Sequence, residues 1–420
     1  MTVMALSRTV SGDYGLSPEA AAVAKIADSK ELSKEEKIAK LKELALESAT
    51  QMVAIYRLDQ LDGGEATKTV IGIFRAKGTT RERKLRLGYF ALGGVRPQRA
   101  GFPREFVKEF ADYLIGAILD GGEKEFCRAL PDEDPTTAVG EYAYLASDFD
   151  GYKGVDFAPF MDARVVPILI RCLDAPDNVY PEDQGDCIRG KPGEPTGRNT
   201  ARQQIPAALA KLGDARAIEP LKRVLFKHAD MYERMNAACA LAQLVRRQED
   251  RAAIGKEILA REDLRWCRLP FGEGLIKAGD DAGVEFLAIK HAGGYGRQET
   301  TSEILYMLDQ RLSVLQGFRS PKVETFVREA LAYKPWRAMI LFEPGSVKID
   351  AASYVHPPKD EAEALELSAP RIIQLYGMML SCVELNGLAG LSADLEQIGK
   401  QTRSEKIREM TGGCLKALGR

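Results

Sequence analysis

The feature that most constrains this sequence is a helix-sized pattern that returns about every 33 residues. An arginine followed by a leucine seven positions later recurs in the middle of the chain, as Arg202 with Leu209, Arg234 with Leu241, and Arg268 with Leu275. The arginines step by 32 and then by 34 residues. In the first two copies the leucine stands between alanines, and such small apolar residues let a neighbouring helix approach closely. The pattern therefore predicts one buried helix in each copy.

A second segment repeats beside the first. The sequence DARAIEPLKRVL at 214–225 aligns with DARVVPILIRCL at 162–173, and weaker copies begin at Asp280 and Ser320. Aspartate and serine are favoured helix N-caps, so each copy predicts a second helix that begins at Asp162, Asp214, Asp280 or Ser320. Pro167 and Pro220 then fall inside predicted helices, where proline normally costs stability.

Two helices per unit at this period are typical of an α-solenoid, in which each unit buries its apolar face against its neighbours. The segment ALAKLGDARAIEPLKRVL at 208–225 resembles the HEAT-like repeats of the phycobilin-lyase type, and the resemblance covers about 160–290. It implies an all-α, right-handed α-α superhelix (a HEAT/armadillo-like solenoid). A tetratricopeptide reading fits less well, because the Trp, Tyr and Pro landmarks of that repeat are missing.

The pattern divides the chain into four sections. We expect an unstructured N-terminus at 1–15, an irregular helical section at 16–134, HEAT-like repeats at 135–335 and a C-terminal helical cap at 336–420. The second helices at 162 and 214 are offset by 52 residues, so an extra segment, 174–199, is inserted as a loop rich in Gly, Pro, Asp and Asn. Long loops on a stacked scaffold are often functional.

Two boundaries are predicted from single signals. Ser33 and Glu36 form a capping-box sequence, from which we expect one long helix through roughly Leu58. Near the other end, Pro370 is predicted to open a helix that runs to about Leu385.

Composition narrows the class of protein. The chain has 420 residues, 45% of them hydrophobic, with a net charge of -2, as expected for a soluble protein. It has no apolar run of membrane-spanning length and no signal-like start, so we expect a cytoplasmic protein, or a periplasmic or secreted one if a signal peptide has been removed. The 7 cysteines form no CxxC pair and there are only 3 histidines, so neither a metal site nor a cofactor is predicted.

Several charged residues keep their place from copy to copy. Arg164 and Arg216 follow the predicted caps Asp162 and Asp214 by two residues. We interpret these pairs, together with Asp280 and with Arg202, Arg234 and Arg268, as a structural ladder of hydrogen bonds between units.

Arg171 and Arg223 share one register on two second helices, and Lys222 lies beside Arg223. In the family that the chain resembles, the second helix lines a concave groove. The resemblance therefore implies a non-catalytic scaffold that binds another protein or a peptide through these three residues and the 174–199 loop.

An alternative partner is suggested by the segment 75–104, which holds nine basic residues against one acid, with aromatic residues between them. Arg81, Lys84 and Arg86 could bind nucleic acid or an acidic partner there. We favour a solvated face over core aromatics for this segment, because a nucleic-acid-binding protein is usually basic overall and this chain has a net charge of -2. The resemblance also leaves open a bilin-lyase-like enzyme, although no catalytic motif is found. The partner's identity and the oligomeric state stay open.

Overall fold

The computed structural model describes residues 18–47, 50–92, 102–127, 137–148, 157–175, 200–289, 300–343 and 358–419. Within these ranges every regular element is a helix, so the predicted all-α class is confirmed. The predicted N-terminal section 1–15 and the loop beyond Ala175 lie outside the described residues.

The chain forms two compact units, Met1–Pro220 and Leu221–Arg420. The first unit contains α1 (Pro18–Ala27), α2 (Lys34–Leu46), α3 (Gln51–Leu61), α4 (Gly63–Arg75), α5 (Arg81–Leu92), α6 (Arg104–Leu119), α7 (Gly122–Cys127), α8 (Ala138–Asp148), α9 (Val166–Cys172) and α10 (Thr200–Leu212). The division falls within α11 (Ile218–Lys227).

The second unit continues with α12 (Met231–Leu244), α13 (Gln248–Ala260), α14 (Arg268–Lys277), α15 (Gly283–Phe286), α16 (Thr301–Leu315), α17 (Val323–Ala332), α18 (Lys334–Leu341), α19 (Glu361–Leu385), α20 (Ser392–Gln401) and α21 (Glu405–Ala417). Short 3-10 turns lie at Ala158–Phe160, Ala163–Val165, Ala215–Ala217, Glu262–Cys267 and Ala389–Leu391.

The first unit opens as predicted and then departs from the prediction. Ser33 and Glu36 form the expected capping box at the start of α2. The single long helix is wrong, because α2 ends at Leu46 and α3 begins at Gln51. The Thr50 hydroxyl donates to the Leu44 carbonyl at 2.6 Å and so satisfies one of the carbonyls that the helix end leaves without a partner.

An aromatic cluster fills the middle of the first unit. Phe74 on α4 makes edge-on contacts with Phe106, Phe110 and Tyr113 on α6, at ring-centroid distances of 5.4, 5.8 and 5.4 Å. Phe74, Phe106 and Phe110 are buried, and with Tyr113 they build the core between α4 and α6.

The two second helices at 162 and 214 each begin with a 3-10 turn. The turns Ala163–Val165 and Ala215–Ala217 lead into α9 and α11. Pro167 and Pro220 consequently lie in the first turn of an α-helix, where the missing N–H would have no helical acceptor. The expected cost of these two prolines is therefore not incurred.

Glycines bring helices of the second unit together. A Cβ added at Gly274 on α14 would stand 2.3 Å from the Cys239 carbonyl oxygen on α12. One added at Gly272 would stand 2.8 Å from the Gly283 carbonyl oxygen, at the start of α15. Only residues without a side chain permit these approaches.

The last helices of the second unit share one apolar core. Phe326 of α17, Trp336 of α18 and Tyr376 of α19 are fully or almost fully buried within it, as is Ile398 of α20. Pro370 does not open a helix, contrary to expectation, but lies inside α19. That helix starts at Glu361, because Asp360 caps it by accepting from the Glu363 N–H at 2.9 Å.

Candidate functional site

The four residues predicted to cap second helices make the same local contact, but only two of them are helix caps. Asp162 and Asp214 are the N-caps of the 3-10 turns that lead into α9 and α11, whereas the N-caps of α15 and α17 are Ala282 and Lys322, so the predicted caps Asp280 and Ser320 are wrong. Each side chain accepts a hydrogen bond from the backbone N–H two residues later: Asp162 from Arg164 at 2.8 Å, Asp214 from Arg216 at 2.9 Å, Asp280 from Ala282 at 3.0 Å, and Ser320 from Lys322 at 3.1 Å. The repeated sequence therefore produces the same turn before each second helix, and we call each of these turns, at Asp162, Asp214, Asp280 and Ser320, a joint.

The arginines of the first two joints fold back onto their own caps. Arg164 Nη2 lies 2.5 Å from Asp162 Oδ2, and Arg216 Nη2 lies 2.6 Å from Asp214 Oδ2. These contacts lower the pKa of each aspartate, chiefly through the hydrogen bonds from the arginine side chain. Arg216 also donates to the Ala163 carbonyl at 3.3 Å, which connects the second joint to the first within one unit.

The joints at 280 and 320 are connected in a different way. The Ser320 hydroxyl donates to Asp281 at 3.2 Å, and Lys322 Nζ donates to the same carboxylate at 2.6 Å. Asp280 itself pairs with Arg251 of α13 at 3.1 Å. Both pairs of joints are thus bridged by polar side chains, but with different residues.

The three repeated arginines bind backbone carbonyls where helices end. Arg234 donates to Leu225 in the last turn of α11 at 3.0 Å, and Arg268 donates to Leu259 in the last turn of α13 at 3.3 Å. Arg202, which is 3% exposed, donates to the Ala175 carbonyl beyond α9. A helix end leaves its last carbonyls without helical donors, and these guanidinium groups supply them.

Sequence reasoning missed a fourth arginine of this kind. Arg311 on α16 is 5% exposed and donates to the Leu287 carbonyl at 2.9 Å, just beyond α15. Its position does not fit the arginine–leucine spacing of the other copies, so the repeat alone gave no signal for it.

Sequence reasoning also missed a set of polar contacts among His228, Asp230 and Glu233, where α11 ends and α12 begins. His228 Nδ1 accepts from the Asp230 N–H at 3.1 Å, while Asp230 Oδ1 accepts from the Glu233 N–H at 2.9 Å. Glu233 Oε2 lies 3.3 Å from His228 Nε2, and the side chain of Glu233 is 1% exposed. Because Nδ1 is an acceptor, the proton of the neutral ring lies on Nε2, facing the buried carboxylate.

The candidate basic residues of α5 have partners within the protein. Arg81 contacts Glu125 at 2.9 Å and the Ala117 carbonyl at 3.1 Å. Lys84 Nζ lies 5.3 Å from the ring centroid of Phe74, and Arg86 pairs with Glu82 at 2.7 Å. These contacts fit the interpretation of a solvated face over core aromatics better than a surface free to bind phosphates.

The candidate groove residues belong to different units, Arg171 to the first and Lys222 and Arg223 to the second. Arg171 on α9 is held by Glu123 of α7 at 2.5 Å. Lys222 and Arg223 lie on α11 in the second unit, Lys222 half-buried and Arg223 exposed.

Three buried cysteine thiols resist ionisation. Burial raises the pKa of Cys267 and of Cys414 to about 12, and that of Cys382 to about 11. Such thiols are poor nucleophiles at neutral pH. In the part of the chain that the structure describes, no three His, Cys, Asp or Glu side chains group as metal ligands. No helix there is both long and apolar enough to cross a bilayer.

Comparison of the sequence with models of protein families, with curated proteins and with solved structures gave no match.

Proposed function

We propose that this chain is a HEAT-like α-solenoid that acts as a non-catalytic scaffold for another protein. The observation that supports the proposal is the joint that recurs at Asp162, Asp214, Asp280 and Ser320, where each side chain accepts from the backbone N–H two residues later. A repeated joint between short helices is how solenoids stack their units. The scaffold function follows from the resemblance and from the absence of a recognisable catalytic motif in the sequence.

The arrangement of units can be tested by small-angle X-ray scattering. A compact globule of this length has a radius of gyration of about 22 Å. An elongated superhelix gives a clearly larger radius and a pair-distance distribution with a long tail. A radius near the globular value would contradict the solenoid.

Partner binding can be tested by affinity capture followed by mass spectrometry. The full chain is compared with a variant in which 176–199 is replaced by a short Gly/Ser linker, and with the double variant Lys222→Glu/Arg223→Glu. If α11 lines the groove, the double variant loses the captured partner. Lys256→Glu is the matched control, because Lys256 is an exposed lysine on α13 of the same unit. Equal capture by all variants would contradict the groove at α11.

A further inference from the structure

We propose that the cleft between α15 and α17 binds a positively charged side chain, arginine or lysine, that a partner protein presents. The proposal rests on the scaffold function above and names the chemistry of its partner. The cleft has a volume of about 130 Å³ and lies wholly within the second unit. It is lined by Val284, Glu285, Ala288, Lys322, Thr325, Phe326 and Glu329.

The floor of the cleft is apolar. Val284, Ala288 and Phe326 are 4%, 6% and 1% exposed, so they belong to the core and only their outer atoms face the cleft. The aliphatic stem of an arginine or a lysine can pack against such a surface while its charged end stays near the rim. A phenylalanine ring also attracts a cation that lies over its face.

Two carboxylates give the cleft its charge. Glu285 lines the cleft from α15, and Glu329 lines it from α17, one helical turn beyond Thr325. Glu329 Oε2 is buried and has no hydrogen-bond partner. A carboxylate that is partly withdrawn from water, without a partner, raises the free energy of the protein, and a cation entering the cleft would offset that cost.

The basic side chains nearest the cleft form ion pairs with carboxylates other than Glu285 and Glu329. Lys322, at the start of α17, pairs with Asp281 at 2.6 Å. Arg328 faces another side of α17, where it contacts Glu324 at 2.7 Å and Asp394 at 3.0 Å. Among the residues that the structure describes, neither Glu285 nor Glu329 is joined in an ion pair. The charge of the cleft is therefore available to a cation from outside.

The joint at Ser320 keeps one end of the cleft in place. Asp281 accepts from both Ser320 and Lys322, so the start of α17 is tied to the segment that leads into α15. A cleft whose walls are fixed in advance loses less conformational entropy on binding than one that must be assembled.

The test uses ligand-observed NMR with the full chain and four blocked tripeptides, acetyl-Gly-Xaa-Gly-amide, where Xaa is arginine, lysine, citrulline or glutamate. Citrulline matches arginine in shape but carries no charge. We expect the arginine and lysine peptides to bind with a Kd of about 1 mM, as suits a single side chain. We expect citrulline to bind about tenfold more weakly and glutamate not to bind.

Three variants locate the site. Glu329→Gln and Glu285→Gln each remove one charge, and each should weaken the arginine peptide by about tenfold. Thr325→Arg places a guanidinium one helical turn from Glu329 and should block the cleft from within the chain. Glu366→Gln removes an exposed carboxylate from α19 and should leave binding unchanged. Thermal unfolding checks that each variant is folded.

Equal binding of arginine and citrulline peptides would overturn the proposal, as would unchanged binding in Glu329→Gln and Glu285→Gln, or no peptide binding at all. The scaffold function is tested separately by capture of a partner with the Thr325→Arg variant. If that variant captures the partner as well as the original chain does, the cleft is not the docking site but the scaffold function stands. If neither captures a partner, the scaffold function itself fails.

Discussion

Arg234 on α12 reaches back nine residues to the Leu225 carbonyl in the last turn of α11, at 3.0 Å. The same guanidinium contacts Asp263 at 2.7 Å, and its side chain is 15% exposed. Arg261 also contacts Asp263 at 2.8 Å, and the two arginines, Arg261 most strongly, lower the pKa of that carboxylate. Arg234 thus joins the end of α11 to the 3-10 turn that follows α13.

Replacement of Arg234 by methionine should lower the free energy of unfolding by about 2 kcal/mol, because a helix-end carbonyl and a carboxylate both lose a donor. Urea denaturation monitored by circular dichroism measures the change. Lys256→Met removes a charge from an exposed site on α13 and should shift the midpoint far less. Equal effects of the two substitutions would show that the Leu225 contact contributes nothing.

Gly274→Ala should destabilise the protein by about 1–3 kcal/mol, because its Cβ would meet the Cys239 carbonyl and α12 must move away. Gly412→Ala is the matched control within α21, where an added Cβ meets nothing within 4 Å. There the substitution should stabilise by about 0.5–1 kcal/mol through helix propensity. Thermal unfolding of both variants would reveal opposite signs, and equal signs would refute the close approach.

Glu141 on α8 should make stability depend on pH. Burial raises its pKa from 4.5 to about 8, which the charge of Arg86 only partly opposes. The folded protein therefore holds this proton more tightly than the unfolded chain does. The stability it contributes is complete below the unfolded pKa of 4.5 and is lost as pH rises through about 8.

Glu141→Gln should remove that dependence. Between acidic and neutral pH, the free energy of unfolding of the original protein should fall by on the order of 3 kcal/mol more than that of the variant, because the other titratable groups are the same in both. Urea unfolding of both proteins at several pH values measures the difference. Parallel stability curves would show that the carboxyl is solvated in the folded state.

Asp214→Ala should cost about 1 kcal/mol, because the Arg216 N–H loses its cap acceptor. Asp214→Asn keeps an acceptor oxygen and should recover most of the loss, although it removes the charge that pairs with Arg216. That pair is on the surface, so the charge itself contributes little. Chemical denaturation distinguishes the two: an asparagine as damaging as the alanine would assign the stability to the ion pair.

Local rules predicted the caps Asp162 and Asp214 correctly and the helix breaks poorly. Asp162 and Asp214 act on backbone atoms two residues away, so their role can be read from the residues themselves. The break between Leu46 and Gln51 has no glycine or proline to mark it, and apolar residues continue across it. At Pro370 the error is the opposite one: the proline predicted a helix start, but Asp360, ten positions earlier, already caps the helix that contains it.

The candidate site shows the same limit. The spacing of Arg202, Arg234 and Arg268 indicated a shared role, but their acceptors are carbonyls of other helices, which only the packed chain reveals. The cleft at Glu329 lies between α15 and α17, which follow the copies of the repeat at Asp280 and Ser320, but the repeat does not predict that Glu285 and Glu329 line one cleft. Its charge depends on where Lys322 and Arg328 find partners, and that is a property of tertiary structure.

The nine-residue link from Arg234 to Leu225 has a consequence for how the chain is made. Contacts between near neighbours close small loops and form early. On a ribosome that adds about 5–20 residues each second, the α11–α12 joint can assemble while the C-terminal helices are still unsynthesised. Nascent chains truncated after α12 should already protect this joint from proteolysis.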